Sequence, residues 1–313
     1  MNVYVYPTNG EWYRFLSAEP QVDEVNFWRP GGKQSFQQLT PGDLLLFRLS
    51  KPRPAIAGGG TYTHFSFAPL AKSWEAFGRK NGTATFERLV QLIGTYRDLG
   101  ETPEQVANAI IGNIVLTAPF FLPQDRWISV PRDYEQNSPQ GQRFDASHGS
   151  GRWLLEAFQT AISGLGVRRV AEPSYASTEE EIRFGTAVVK RRLGQGGFAF
   201  LVADNYGKRC AISGERTYPV LEAAHIKPVQ HGGLHRPDNG ILLRTDIHKL
   251  FDRGYVTVRP NGAFVVSTRL AEDWHNGRIY YELGGQQIRR PASPEAHPAR
   301  EFLEWHNDTV FQG

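Results

Sequence analysis

An α+β chain of two domains is the fold class this sequence predicts, with a small β-barrel-like domain first and a strand-pair-and-helix unit last. Three observations carry that prediction. The 313 residues exceed the usual size of one domain. Short apolar strands interrupted by one or two helices fill residues 1–135, an alternation that belongs to α+β folds. A polar stretch rich in Gly and Ser, QNSPQGQRFDASHGSG from 136 to 151, then separates these elements from a second set, as an interdomain linker would. The expected layout is a first domain over 1–135, a linker with a short helix over 136–176, and a second domain over 177–313.

In the first domain VYVYP reads as a short strand, PGDLLLFRLS as a turn and a buried apolar run, and PAIAGGGTYTHFSFAP as two strands about a glycine kink. SWEAFG suggests a helical turn. Phe86, Leu89, Val90, Ile93 and Tyr96 recur at helical spacing, and Gly100 would end that helix. NIVLTAPFFLPQDRWISVP returns to strands. In the linker RWLLEAFQTAIS is a short amphipathic helix. Ser177 with Glu180 supplies a capping-box pattern for a helix ending in Lys190, Arg191 and Arg192. Such cations suit a helix C-terminus, and they equally suit a patch that contacts nucleic-acid phosphates. FAFLVADNY reads as a helix, CAISGERTYPVLEAAHIKPV as two strands about a Ser-Gly-Glu turn, and RTDIHKLFDRG as a helix closed by Gly254. YVTVRPNGAFVVS alternates strictly around Asn-Gly, a hairpin, and EAHPAREFLEWHNDTVF looks helical.

Composition narrows the class without naming a partner. The apolar fraction of 40% suffices for ordinary cores, and no run approaches the roughly 18 apolar residues of a membrane helix. MNVYVYPTNGEWYRF has neither a basic start nor an apolar signal core, so a cytoplasmic location is expected. With one cysteine, Cys210, an internal disulfide and a thiolate zinc knuckle are both excluded. A net charge of +3 permits a polyanionic partner without requiring one.

The chemistry concentrates in VLEAAHIKPVQHGGLHRPDNGILLRTDIHKLFD, residues 220–252. A strand ending in His225, a loop carrying Asn239 and a helix carrying His248 give the spacing H-x13-N-x8-H. Hydrolysis of a phosphodiester needs a base for water, a metal to neutralise the phosphorus centre, and a clamp for the base. Histidine suits the first because its pKa lies near neutrality, a helical histidine suits the second, and an asparagine amide suits the third. The neighbours AAHI, NGILL and DIHKLFDRG, with GQGGFAFLVADNYGKRCAISGE upstream, make residues 190–260 resemble the HNH endonucleases. That resemblance implies a ββα-metal fold, with His225 as base, Asn239 as clamp and His248 as ligand to Mg2+ or Mn2+, or to Zn2+. Many members carry Asp or His just before the base, where this chain has Ala224. Asp252 lies four residues after His248 on the same helix face and is the second ligand expected here. Glu222, His235 and Asp246 are alternatives, and Asp252 could instead pair with Lys249 or Arg253. Cys210 and Ser213 stand where some relatives hold a Cys-x-x-Cys knuckle.

Residues 1–135 resemble the EVE group of the PUA-like superfamily in VYVYPTNGEWYRF, FWRPGG, PGDLLLFRLSKPRPAIAGGGTY and SWEAFG. This implies a small β-barrel that holds a flipped base between aromatic walls. Trp12, Phe27, Trp28, Tyr62 and Trp74 are the candidates, with Trp28 foremost because Arg29-Pro30-Gly31-Gly32 places it beside a polar turn. Together the two resemblances imply an endonuclease acting on double-stranded DNA that contains 5-methyl- or 5-hydroxymethylcytosine. Cutting both strands would take two HNH sites, hence a homodimer. A non-catalytic reader on a degraded HNH scaffold and an RNA-directed nuclease are the competing readings.

Overall fold

In the computed structural model of the chain, which describes residues 1–20, 22–97, 101–135, 140–163 and 193–313, the run LLLFRL is a strand buried on both faces. Its neighbours explain why. The first of two compact units, Met1–Arg191, contains β1 (Asn2–Pro7), β2 (Glu24–Arg29), β3 (Leu44–Leu49), β4 (Ala55–Pro69), β5 (Ile110–Phe121), β6 (Ile128–Ser129) and β7 (Gln142–Asp145). Its helices are α1 (Gly10–Ser17), α2 (Leu70–Phe77), α3 (Phe86–Gly94), α4 (Pro103–Asn108) and α5 (Gly149–Ile162). The strands make one sheet in the order β2-β5-β4-β3-β1-β7, with β6 on β4. β1 is parallel to β3 and the other pairings are antiparallel.

No pairing joins β2 to β7 among the described residues, so this is an open mixed sheet and not the expected small barrel. Alternation along β3 supplies the reason. Leu45, Phe47 and Leu49 face a core shared with Trp12, Tyr13 and Leu16 of α1 and with Leu89 and Ile93 of α3. Leu44 and Leu46 face a separate core shared with Leu154 and Phe158 of α5. Each face of the sheet has its own helical cover, so closure is not needed to bury it. The glycine kink read in PAIAGGGTYTHFSFAP does not break the strand. β4 runs unbroken over the last 15 of these 16 residues, with register shifts at Gly59/Thr61 and Tyr62/His64 absorbing the bend.

The Gly- and Ser-rich stretch is also more than a tether. Gln142–Asp145 pairs with β1, and α5 buries Leu154 and Phe158 against the same sheet. Its glycines serve the tight corner between them: Gly149 has φ +55°, and a Cβ on Gly151 would lie 2.0 Å from the Asp145 carbonyl oxygen. The capping box at Ser177 and the basic trio Lys190, Arg191 and Arg192 lie outside the described residues, as does Gly100; α3 ends earlier, at Gly94.

The second unit, Arg192–Gly313, holds α6 (Gln195–Asn205), β8 (Leu221–His225), β9 (Gly240–Arg244), α7 (Thr245–Asp252), β10 (Val256–Val258), β11 (Phe264–Val266), α8 (Arg269–Trp274), α9 (Arg278–Tyr281) and α10 (Arg300–Thr309). β8 pairs antiparallel with β9, from Leu221↔Arg244 to His225↔Gly240, and α7 follows directly, a β-β-α succession. The strand expected over Cys210–Ile212, ahead of the Ser-Gly-Glu turn, does not form; the turn takes in these residues as well, closed by Cys210 N–H donating to the Glu215 carbonyl at 2.9 Å. The Cys210 sulfur accepts from the backbone N–H groups of Ser213 (3.4 Å) and Arg244 (3.3 Å), so the lone thiol anchors the turn to β9. β10 and β11 form the hairpin read around Asn-Gly, with Gly262 at φ +86°. No helix among the described residues is long and apolar enough to cross a membrane.

Candidate active site

His225 ends β8, and its ring lies flat against Phe198 of α6, with centroids 3.9 Å apart and planes 11° from parallel. Its Nε2 is 3.0 Å from Nδ1 of His235. Burial first, then the neighbouring imidazoles of His235 and His248, push the His225 pKa down to about 4. The ring is therefore neutral at pH 7, with a lone pair available to accept a proton.

Asn239 is fully buried. Its Oδ1 accepts from Lys227 N–H at 2.9 Å, and its Nδ2 donates to the carbonyls of Lys227 (2.9 Å) and Leu234 (3.0 Å). One amide thus pins both ends of the 227–234 loop, and its own carbonyl accepts from Ile226 N–H at 2.9 Å, the residue after His225. The Asn-Gly pair is not a turn here. Gly240 opens β9 in extended conformation, and a Cβ there would lie 2.4 Å from Val202 Cγ2 and 3.0 Å from Phe198 Cζ. Glycine lets α6 approach the strand pair closely enough for Phe198 to reach His225.

His248 sits on α7 between two carboxylates. Its Nδ1 is 2.7 Å from Glu222 Oε2 and its Nε2 is 3.4 Å from Asp252 Oδ2. Nε2 and the Asp252 carboxylate oxygen are two donors that one cation could share. Ligands at about 2.1 Å from one ion stand roughly 3.0 to 3.4 Å apart, so the spacing fits. Desolvation first, and the Glu222 charge after it, raise the Asp252 pKa, while His248 lowers it; added positive charge would relieve both of the raising causes. Imidazole nitrogen with carboxylate oxygen is a donor set for Mg2+, Mn2+ or Zn2+. Among the described residues no group of three or more His, Cys, Asp or Glu could hold an ion.

The other candidate ligands are engaged elsewhere. Asp246 takes the Arg244 guanidinium at 2.6 and 2.7 Å and the Tyr280 hydroxyl at 3.0 Å, while His235 faces His225. Asp252 pairs with neither Lys249 nor Arg253. Sequence reasoning missed Phe198; its signal was a helix, α6, apolar on every side and so due for burial. Glu222 was singled out as a ligand candidate, whereas its contact is with the far nitrogen of His248, where it orients the ring.

In the first unit Trp12, Phe27 and Trp28 line one cavity of about 970 Å3, together with Tyr6, Tyr96 and Arg97. Tyr62 and Trp74 do not line it. Tyr62 is buried edge-on against Phe36, and Trp74 leans on Phe86. The Trp12 indole donates to the Asn26 carbonyl at 3.2 Å and the Trp28 indole to that of Asn81 at 3.0 Å. Their N–H groups are thus tied into the core and both indoles are almost wholly buried, whereas Tyr96 is exposed.

A β-hairpin and helix carrying His225, Asn239 and His248 in this arrangement can be compared with known proteins. Residues 210–259 match the HNH endonuclease family. The matched HNH segment runs from the Cys210 turn through β8, β9 and α7 to the first strand of the following hairpin. No curated protein matches the chain. A solved structure described as a modification dependent TagI restriction endonuclease aligns over 98% of this chain and 81% of its own, at 12% identity and a TM-score of 0.28.

Proposed function

We propose that this protein is a divalent-metal-dependent DNA endonuclease directed by a modified cytosine, with the HNH segment as its hydrolytic site. The observation that carries the nuclease reading is the half-buried imidazole of His225 facing His235, on a strand whose following loop is pinned by Asn239, within a segment that matches HNH endonucleases. In this reading His225 accepts a proton from the attacking water. The negative charge of a phosphodiester beside the ring favours the imidazolium, so the base strengthens as substrate binds. Phe198 and His235 hold the ring in one orientation, and Asn239 keeps the loop from closing over it. His248 and Asp252 would hold the ion, with Glu222 fixing the His248 ring through Nδ1. When bound, a divalent ion neutralises the scissile phosphate and the leaving oxygen.

The reader function is proposed for the Trp28 cavity. Its volume accommodates a nucleobase, and the exposed ring of Tyr96 in its lining would supply the stacking that an extruded base loses, with Trp28 behind it. Modified cytosine follows from the EVE-like resemblance of residues 1–135, and action as a homodimer from the need to cut two strands. The test uses three otherwise identical plasmids carrying plain, 5-methyl or 5-hydroxymethylcytosine, with Mg2+, Mn2+ or EDTA. Metal-dependent cleavage confined to modified plasmid, lost in His225→Ala with DNA binding retained, is the expected outcome. Equal cleavage of all three would remove the reader claim, and cleavage by His225→Ala would remove the base.

A further inference from the structure

The second unit pairs several of its arginines with carboxylates: Arg236 with Asp238, Arg244 with Asp246, Arg269 with Asp273, Arg278 with Glu282 and Arg300 with Glu304. Three others are gathered at one place without such a partner. Arg209 lies in the turn after α6, where its N–H bonds the Tyr206 carbonyl at 3.3 Å. Arg216 lies in the Cys210 turn, which the bond from Cys210 N–H to the Glu215 carbonyl closes beside Arg209. Arg289 is joined to the same turn by its N–H, which donates to the Ala211 carbonyl at 2.8 Å. Backbone bonds therefore bring three guanidinium-bearing residues, 209, 216 and 289, to one turn.

None of the three makes an ion pair among the described residues. The nearest acid in sequence, Glu215, turns its carboxylate back to accept from the N–H groups of Arg216 and Thr217, both at 2.7 Å. Asp204 is engaged by Lys208. Arg216 and Arg289 are exposed. Arg209 is held below the ordinary guanidinium range, first by partial desolvation and then by the charges of Arg216 and Arg289. Like charges crowded together without a counter-ion destabilise a fold, and a polyanion on them would relieve the repulsion.

The cluster shares a frame with the candidate base. Ala211 N–H donates to the Leu242 carbonyl at 2.7 Å, and Cys210 accepts from Arg244 N–H. Both partners lie on β9, whose Gly240 pairs with His225. Four residues of strand separate Arg244 from Gly240, about 13 Å, which is roughly four base-pair steps of a duplex at ~3.4 Å each.

We propose that Arg209, Arg216 and Arg289 form a phosphate-docking surface that holds the backbone of duplex DNA a few base pairs from the bond the HNH site attacks. The inference rests on the nuclease reading for its partner and goes beyond it in assigning a second contact. Its contribution is affinity without sequence information, the role of phosphate contacts in general.

The test compares full-length wild type with Arg209→Gln/Arg216→Gln/Arg289→Gln by fluorescence anisotropy on an unmodified duplex in EDTA, across a salt series. A control, Arg269→Gln/Arg278→Gln/Arg300→Gln, removes the same charge from paired positions of the same unit. The docking triple should lower the slope of log affinity against log salt by roughly 2 to 3, since each phosphate contact contributes about 0.9. The control should change it by less than about 1, and Arg→Lys at the three docking positions should restore most of it. A docking triple with the wild-type slope, or with the slope of the control, overturns the proposal. So does failure of the lysine triple to restore binding, because the loss would then be one of folding. A larger loss on a matched RNA duplex would overturn the choice of DNA. Wild type that binds no duplex would overturn the nuclease reading as well, a result distinct from an unchanged slope.

Discussion

Replacing Asn239 separates its structural work from that of its neighbours. Asn239→Ala removes three hydrogen bonds of 2.9, 2.9 and 3.0 Å from a fully buried amide. Leaving a buried polar group unpaired costs about 1–3 kcal/mol. Lys227 is half-buried and Leu234 exposed, so water can reach part of what is released, and the sum should fall near 2–3 kcal/mol and not three times the maximum. Asn239→Asp keeps the volume and the acceptor for Lys227 N–H, but turns a carboxylate toward two carbonyl oxygens. It should cost at least as much as alanine at pH 7. Its carboxyl would titrate high, because the protonated form can donate to one of those carbonyls, so its deficit relative to wild type should shrink as pH falls. Because the chain has two units, the readout must report on one of them. Hydrogen exchange of peptides spanning 221–244 during urea titration does so, with the Lys227 amide as the local marker. Asn239→Ala with wild-type exchange and midpoint, or an aspartate variant more stable than alanine at pH 7, would refute this account of the loop.

Three further outcomes are expected. His306 is buried against Phe251, bonded to Thr257 Oγ1 at 2.9 Å and to the Phe251 carbonyl at 3.0 Å; burial lowers its pKa to about 4, against the carbonyl's opposing pull. Because the folded pKa is depressed, its contribution to stability is complete above about pH 6.5 and is lost as pH falls toward 4. His306 should account for a loss of about 3 kcal/mol from the second unit's urea stability over that window, beside the similar loss from His225, and His306→Gln should remove its share and leave that of His225. Gly240→Ala places a methyl 2.4 Å from Val202 Cγ2 and should cost about 1–3 kcal/mol by overpacking. Cleavage should fall with it as Phe198 is displaced from His225; unchanged melting would show that α6 yields freely. A fragment ending at 135 lacks β7 and α5 and so uncovers Val3, Val5, Leu44 and Leu46. It should bind an apolar dye and precipitate, whereas a fragment ending at 163 should fold, and equal solubility of the two would count against α5 as a cover.

Local chemistry was legible in the sequence alone. A turn and a continuous apolar run identified β3, strict alternation identified the β10–β11 hairpin, Gly254 marked the end of α7, and the order of His225, Asn239 and His248 with their neighbours pointed to HNH hydrolysis. These features depend on residues close in the chain or on side-chain type, and so survive without a fold. Tertiary structure decided the rest. Whether the first sheet closes depends on which edges meet, and helices over 86–94 and 149–162 cover its two faces in a way no periodicity reports. The partner of His225 is an imidazole ten residues away with an aromatic ring stacked above it, and Glu222 meets His248 across 26 positions. Arg209, Arg216 and Arg289 meet only because a turn closed through Cys210 and Glu215 is bonded to the segment carrying residue 289. Pairings of that kind are fixed by loop closure and packing across the whole unit, for which a linear pattern carries no distance.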